Sequence, residues 1–270
     1  METPAALAGW TLEPLAASSF CRTFRASKGP LRLFVKTGDA ALLAAEADGL
    51  QALAATGTVR VPSVELSAEG VLAMEWLDLQ SPDRGFGERL GRALQSLHAH
   101  ASSVLFGWPR DNFIGATPQA NAQSGDWLQF FAEQRLRAML RRLGDQRVAE
   151  AVERVADRLP LLFDDGYEPR PALIHGDLWS GNWGMLADGT PVVFDPAVSV
   201  SDPEAELAMM ELFGSPPAGF WQAYPVHPGY ARRRRAYQLY HLLNHAVLFG
   251  GGYAQQALRV AREITAAGGR

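Results

Sequence analysis

Residues 175–182 read His-Gly-Asp-Leu-Trp-Ser-Gly-Asn, and residues 194–197 read Phe-Asp-Pro-Ala. The first stretch places Asp177 five residues before Asn182, and the second adds another acid, Asp195. An acid and an asparagine at this spacing, followed by a second acid, match the layout that holds a base and two metal ligands around a phosphoryl group in kinases. Each signal alone is common in ordinary turns, but their conjunction predicts phosphoryl transfer.

The segment between Asn182 and Asp195 has the pattern of a β-hairpin. Residues 182–186 and 191–194 are mainly apolar, and the turn between them contains an Asp-Gly pair. An Asp-Gly pair between two apolar runs is typical of a tight hairpin turn. Because Asn182 and Asp195 stand at the two ends of this hairpin, we expect their side chains to lie side by side.

The chain also resembles a known family over most of its length, from about residue 31 to about residue 255. The further segments that carry the resemblance are residues 34–37, 46–50, 111–119, 204–210 and 237–245. With the two stretches quoted above, they resemble the fructosamine kinase (ketosamine 3-kinase) family, a relative of aminoglycoside phosphotransferases and choline kinases. The segments 111–115 and 242–245 are specific to that family rather than to kinases at large.

This resemblance implies an α+β, two-lobed protein-kinase-like fold. Residues 1–77 predict a small β-sheet lobe with one main helix, which would cover ATP, and residues 78–270 predict a larger, mainly helical lobe with the catalytic loop and the substrate pocket. The polar stretch 80–85 is the shift in composition that places this boundary. The predicted helices are residues 39–55, 86–100, 127–143, 203–213 and 231–249.

Two pairs of residues are candidates for binding ATP. Lys36 ends a predicted strand, and Glu46 follows ten residues later on the next helix. Spacing alone favours a surface lysine and a solvated glutamate, but the resemblance favours an ion pair that holds the α- and β-phosphates. The strand around Glu75 and Leu77 is the candidate adenine site, because backbone groups at a lobe hinge can bind the edge of the base.

The catalytic loop supplies the remaining roles. Asp177 is predicted to be the base that orients the acceptor hydroxyl and accepts its proton. Asn182 and Asp195 are predicted to bind Mg²⁺, a hard ion that favours carboxylate and amide oxygens. His175 is expected to brace the loop through hydrogen bonds rather than to react. The predicted cofactors are therefore ATP and Mg²⁺.

The substrate side of the site is less defined by the sequence. Trp179 lies inside the catalytic loop, where its indole could stack on the substrate or simply pack in the core. Tyr240 and His245 are also candidates, because the resemblance suggests that their helix borders the substrate pocket. His241 and His245 lack a third ligand, so we expect burial rather than metal binding. The arginine run at 232–235 predicts a solvated helix face.

The resemblance implies an ATP-dependent kinase that phosphorylates a small or protein-linked ketosamine, a fructosamine or ribulosamine, at its 3-hydroxyl in deglycation. The alternatives are an aminoglycoside- or choline-type phosphotransferase and a catalytically weak nucleotide-binding pseudokinase. Residues 15–24 motivate the last alternative, because kinases of this type carry a glycine-rich phosphate loop there and this segment contains no glycine. Cys21 in this segment is open to a redox role or to an inert one.

The composition of the chain limits its possible partners and its cellular compartment. A net charge of -4 gives no reason to expect a nucleic-acid partner. The single cysteine excludes an internal disulfide and fits a reducing compartment. No apolar run approaches the roughly 20 residues that span a bilayer, and the first residues do not resemble a signal peptide. We expect a cytoplasmic protein without a membrane partner, with a monomer favoured.

Overall fold

In a computed structural model, an antiparallel β-sheet region is followed by a mainly helical region. The structure describes residues 7–17, 20–68, 70–100 and 103–267. Ser18 and Ser19, at the centre of the glycine-free segment, lie outside the described residues. The expected consequence of that segment for ATP binding therefore stays a prediction.

The N-terminal sheet has five described strands in the order β1-β2-β3-β5-β4. These strands are β1 (Thr11–Ala17), β2 (Cys21–Lys28), β3 (Leu31–Gly38), β4 (Val64–Ala68) and β5 (Val71–Glu75). Strand β3 lies between β2 and β5, and Lys36 is opposite Thr23 on one side and Leu72 on the other. Pairing on both sides fixes the backbone at Lys36.

Helix α1 (Ala40–Ala55) follows β3 directly and confirms the predicted helix at 39–55. Asp39 caps its N-terminus, since its carboxylate accepts hydrogen bonds from the backbone N–H groups of Ala41 (2.9 Å) and Leu42 (3.0 Å). The cap sets where the helix begins. It therefore also sets the position of Glu46 relative to the strand that carries Lys36.

The C-terminal region combines helices with short two-stranded sheets. The helices are α2 (Phe86–Ala99), α3 (Trp127–Phe130), α4 (Ala138–Leu143), α5 (Gln146–Leu162), α6 (Pro203–Met210), α7 (Phe220–Ala223), α8 (Tyr230–Phe249) and α9 (Gly252–Ala267). The strands are β6 (Asn112–Ile114), β7 (Thr117–Gln119), β8 (Ala172–Ile174), β9 (Trp183–Met185), β10 (Pro191–Val193) and β11 (Ser199–Ser201). They pair as β6 with β7, β8 with β11, and β9 with β10. None of the described helices is long and apolar enough to cross a membrane.

One predicted helix is not continuous. The pattern at 127–143 predicts a single α-helix, but a π-helix (Phe131–Arg137) separates α3 from α4. The consecutive Phe130 and Phe131 are both buried, and their rings lie 5.7 and 5.6 Å from that of Trp127. Both rings would also neighbour Trp127 in a regular α-helix, since they follow it by three and four residues, so the apolar spacing does not distinguish a π turn from an α turn.

The arginine run also differs from its prediction. Arg233 is fully buried, where it forms ion pairs with Glu204 (2.7 Å) and Asp165 (2.6 Å). Four consecutive helical residues point around nearly the whole circumference of a helix, so one member of the run must face the interior. The prediction of a solvated face is therefore wrong for Arg233.

A hydrophobic core joins the sheet region to the helical region. Leu50 and Leu53 on α1 belong to the same buried cluster as Leu90 on α2, Leu173 on β8 and Val193 on β10. The sheet ends at residue 75 and α2 begins at residue 86. Through this shared core, helix α1 packs against both regions. The division into two lobes at residue 77 stays a prediction.

We expect Leu50→Ala to lower the free energy of unfolding by about 2–5 kcal/mol, the usual result of leaving a cavity at a fully buried leucine. Leu50 has 0% exposure, whereas Leu31 on β3 is 59% exposed. The matched control Leu31→Ala should change stability by less than about 0.5 kcal/mol. Urea denaturation measures both variants. Equal losses would mean that Leu50 is not part of a continuous core.

Candidate active site

The segment 182–195 forms the predicted hairpin. Strands β9 and β10 are antiparallel, with Trp183 opposite Val193. The backbone N–H of Phe194 donates to the carbonyl of Asn182 at 3.1 Å, which extends the pairing by one step. Asn182 and Asp195 consequently line the same cavity from the two ends of the hairpin.

The backbone directs Asp195 into this cavity. Its φ of +59° is positive, as for no other described residue apart from glycines. Such a conformation costs free energy in a residue with a Cβ and occurs where the surrounding structure imposes it. One oxygen of the Asp195 carboxylate lies 2.8 Å from the Lys36 ammonium, and its side chain is 46% exposed. The carboxylate can therefore bind Lys36 and still reach a ligand.

Lys36 forms the second half of this arrangement. Its Nζ lies 2.7 Å from Glu46 on α1 and 2.8 Å from Asp195, and only 7% of its side chain is exposed. Burial by itself would lower the pKa of Lys36, but the charges of Glu46 and Asp195 together raise it above its ordinary value. The ammonium is therefore charged where it faces the cavity.

Asp177 lines the same cavity. Burial is the main reason that its pKa is raised to about 7, and the negative charges of Asp195 and Glu206 add to this effect. The side-chain amide of Asn182 donates to the Asp177 backbone carbonyl at 2.8 Å and lies 3.5 Å from its carboxylate. Asp177 is consequently an acid that can gain or lose a proton near neutral pH.

A buried glutamate on α6 holds the start of the catalytic loop. Glu206 accepts hydrogen bonds from the backbone N–H groups of His175 (3.1 Å) and Gly176 (2.8 Å) and contacts His98 at 3.0 Å. The His175 ring donates through Nε2 to the Phe194 carbonyl at 2.8 Å, and burial lowers the pKa of this histidine. His175 is therefore placed to brace the loop rather than to react.

Gly176 allows the loop to approach the segment that follows Asp195. Its φ is +86°, and a Cβ on it would lie 2.1 Å from the carbonyl oxygen of Ala197. The backbone N–H of Ala197 donates to the His175 carbonyl at 2.8 Å. Only glycine satisfies both the backbone conformation and the close approach.

Two neighbouring cavities meet at Asp195. The first, of about 300 Å³, is lined by Lys36, Asp177 and Asn182, and the second, of about 280 Å³, by Glu75 and Leu77 on the edge of the sheet region; Asp195 lines both. The Glu75 carboxylate forms an ion pair with Arg60, and its backbone N–H donates to the Ser63 carbonyl at 2.9 Å.

The three candidate substrate residues are in different places. Trp179 lines the first cavity and is 40% exposed, and its indole lies over Gly181, where a Cβ would be 2.4 Å from the ring. Tyr240 and His245 line neither cavity. The Tyr240 hydroxyl is buried and donates to Gln119 at 2.7 Å.

His245 instead packs among aromatic rings, with its ring centroid 4.6 Å from that of Phe213 and 5.1 Å from that of Tyr253. Tyr240 and His245 are thus outside the lining of both cavities, and their role in binding the substrate stays a prediction. Helix α8 is buried over most of residues 236–244. Because α8 is buried on most of its circumference, its sequence pattern does not show which side chains face a cavity.

The β6–β7 hairpin supplies lining residues that had no predicted role. Asn112, Phe113 and Gly115 line the first cavity. The buried Asn112 side chain donates to the Val198 carbonyl at 2.8 Å and accepts from Gln119 at 2.9 Å, so it joins the hairpin to the segment after Asp195. The family-specific segment 111–115 is the signal that points here, but no spacing relates it to Asp177.

The oxygen ligands of this site suit a hard divalent ion whose coordination is completed by phosphate oxygens. Within the described ranges, no group of three or more His, Cys, Asp and Glu residues could hold a metal ion. The Asn182 amide nitrogen is engaged with Asp177, which leaves its oxygen for a cation, and Asp195 adds a carboxylate. Mg²⁺ commonly binds one or two such oxygens together with water and substrate phosphates.

A β-sheet lysine held by a helical glutamate, facing a loop aspartate, asparagine and second aspartate, defines a kinase-type phosphotransferase. Comparison with protein families places the chain more narrowly. The family model described as fructosamine kinase matches residues 8–267, and the chain belongs to this family. The family resemblance, the protein-kinase-like α+β fold and the phosphotransferase class predicted above are thereby confirmed.

Individual relatives agree with this assignment. A protein named "probable ketoamine kinase" from Synechocystis is 44% identical over 87% of this chain and 83% of its own length. The chloroplastic protein-ribulosamine 3-kinase of Arabidopsis thaliana is 37% identical over 84% of this chain and 74% of its own. A crystal structure of a "putative fructosamine-3-kinase" from Thermobifida fusca has a TM-score of 0.85 and 34% identity, covering 94% and 93% of the two chains.

The raised pKa of Asp177 predicts a pH-dependent stability difference. Because the folded protein holds this proton more tightly than the unfolded chain, the contribution of Asp177 to stability falls as pH rises from about 4 to about 7. We expect Asp177→Asn, which cannot ionise, to gain stability relative to wild type across this range and to keep that gain above it. Urea denaturation without nucleotide or metal measures the difference.

The control is Asp188→Asn in the hairpin turn, where the pKa of the exposed carboxyl is lowered by hydrogen bonds from Thr190. Its stability relative to wild type should not rise with pH. A pH-independent difference for Asp177→Asn would contradict the raised pKa.

Proposed function

We propose that this protein transfers the γ-phosphate of ATP to the 3-hydroxyl of a ketosamine, a fructosamine or ribulosamine. The observation that carries the proposal is the meeting of Lys36, Asp177, Asn182 and Asp195 at one cavity. Family membership and the names of the ketoamine and ribulosamine kinases support the choice of acceptor.

ATP would bind across the two cavities. The second cavity, with the backbone of Glu75 and Leu77 at its edge, is apolar enough for adenine, since Phe34 and Met74 also line it. It lies where residues 1–77, the proposed ATP-covering lobe, meet residues 78–270. The phosphates would then extend past Asp195 to Lys36, whose ammonium compensates their charge.

Mg²⁺ would neutralise charge on the phosphates when it is bound. Asn182 and Asp195 would hold it through an amide and a carboxylate oxygen. Lys36 restrains the Asp195 carboxylate through their 2.8 Å contact. The same carboxylate is thereby shared between the lysine and the proposed metal site.

Asp177 would receive the acceptor hydroxyl. Its carboxylate would orient the hydroxyl oxygen toward the γ-phosphorus and take up the hydroxyl proton as the oxygen–phosphorus bond forms and ADP leaves. Its pKa of about 7 suits both binding and release of this proton near neutrality. Because the transition state is loose, orientation is the larger part of its contribution.

The acceptor end of the first cavity has an aromatic lining. Phe113 from β6 and Trp179 from the catalytic loop both line it, and Trp179 is partly exposed. Aromatic faces suit the apolar face of a sugar and an adjacent ammonium group. An opening beside an exposed indole would admit a free ketosamine or one attached to a protein.

We expect Asp177→Asn to lower turnover by roughly 10²–10⁴-fold, the usual scale for a lost general base. ATP consumption would be measured with fructosyl-lysine, ribulosyl-lysine, choline and kanamycin as acceptors. Wild-type turnover only with the two ketosamines supports the proposed acceptor, and turnover with choline or kanamycin instead would refute it. Asp188→Asn is the control for an aspartate outside the cavities, and near-normal turnover of Asp177→Asn would remove Asp177 from the mechanism.

We expect Asp195→Ala to abolish the gain in ATP affinity that Mg²⁺ provides, because the metal would lose its carboxylate ligand. Calorimetric titration of ATP with Mg²⁺ and again with EDTA measures this gain. The exposed Asp164, which pairs with Arg232, provides the control Asp164→Ala. The assignment fails if Asp195→Ala and wild type show the same affinities under both conditions.

A further inference from the structure

Helix α1 has residues besides Glu46 that contact the surroundings of the candidate site. The segment 46–50 is one of those that resemble the fructosamine kinase family, yet only its first residue has a role in the proposed reaction. Two later residues of the segment, Asp48 and Gly49, contact two different parts of the C-terminal region. Both contacts lie within one helical turn of the glutamate that binds Lys36.

Asp48 links α1 to the chain between α2 and β6. Its Oδ2 accepts a hydrogen bond from the Trp108 indole N–H at 3.0 Å, and its Oδ1 lies 3.2 Å from Arg110. The Arg110 side chain is 68% exposed, whereas that of Asp48 is 28% exposed. Because exposed ion pairs contribute little, the bond to Trp108 is the stronger of the two constraints.

Gly49 brings the same helix against the segment that follows Asp195. A Cβ on Gly49 would lie 3.2 Å from the Pro196 ring and 3.3 Å from the Val198 side chain, which is tighter than ordinary contact. Glycine in a helix interior is unfavourable compared with alanine. The close approach of α1 to residues 196–198 therefore accounts for glycine at this position.

These contacts surround the ion pairs of Lys36. Glu46 and Gly49 are three residues apart and lie on the same side of α1. One binds Lys36 at 2.7 Å, and the other touches Pro196, the residue after Asp195. A shift of α1 away from the C-terminal region would move Glu46 away from Asp195 and disturb the position of Lys36, which contacts both carboxylates.

We propose that Asp48 and Gly49 are positioning residues that hold α1 where Glu46, Lys36 and Asp195 form one phosphate-binding group. Asp48 acts through Trp108, and Gly49 acts by allowing contact with residues 196–198. This inference rests on the proposed function insofar as the group binds the phosphates of ATP. It predicts a loss of ATP affinity when either contact is changed, with little effect on the acceptor.

The first experiment compares three substitutions by calorimetric titration of Mg-ATP. Asp48→Ala removes both contacts and should weaken binding by about fivefold, the size expected for one lost hydrogen bond. Asp48→Asn keeps an oxygen that can accept from Trp108, and Arg110→Gln removes only the exposed ion pair. Both should bind Mg-ATP within about twofold of wild type.

The second experiment uses a matched pair of glycine substitutions. Gly49→Ala places a methyl group against Pro196 and Val198 and should weaken Mg-ATP binding by at least about threefold. Gly252→Ala, at the start of α9, is the control, because a Cβ there meets nothing within 4 Å. It should leave Mg-ATP affinity and melting temperature at wild-type values.

Steady-state kinetics separate positioning from general damage. A positioning role raises the KM for ATP in Asp48→Ala and Gly49→Ala, while the KM for the ketosamine stays within about twofold. Unchanged ATP affinity in both variants would overturn the proposal. An equal rise in both KM values together with a lower melting temperature would also overturn it. The proposal fails as well if Asp48→Asn loses as much ATP affinity as Asp48→Ala. If wild type binds Mg-ATP but phosphorylates no ketosamine, the proposed function fails, while the ATP affinities still decide the roles of Asp48 and Gly49.

Discussion

The charge of Lys36 is the constraint on which the site depends. A buried ammonium is costly unless opposite charges compensate it, and here Glu46 and Asp195 both lie within 2.8 Å. One carboxylate comes from the helix after β3 and the other from a hairpin 159 residues along the chain. Sheet, helix and catalytic hairpin must therefore meet at this point, and losing either acid would leave a buried positive charge partly uncompensated.

Burial and neighbouring charges also set the chemistry of Asp177 in the same cavity. Asp177 is held close to Asp195 and to the buried Glu206, so its pKa rises to about 7. Glu206 is itself fixed by the backbone of the loop that carries Asp177. Burial alone would raise the pKa of Glu206, but its hydrogen bond with His98 helps to hold that pKa below its usual value. Glu206, which holds the loop in place, therefore stays charged, while Asp177 on the same loop can gain or lose a proton.

Predictions from the sequence were most successful where short spacing sets the geometry. The hairpin between Asn182 and Asp195 and the helix that begins after Asp39 are present as expected, because turn and cap residues act over a few positions. Predictions were weaker for helices in the interior. Tyr240 lines neither cavity and Arg233 is buried, since periodicity does not say which neighbour covers each face of an enclosed helix.

The sequence by itself determined the family, the fold class and the local order of acid, asparagine and acid in the catalytic loop. Only the tertiary structure decided which distant residues complete the cavity, such as Asn112 and Phe113 from β6, and where α1 is held by Asp48. The physical reason is that hydrogen bonds and packing between residues far apart in the chain leave no periodic signal. Turns, caps and motif spacings can be recognised in the sequence, because the residues that interact are only a few positions apart.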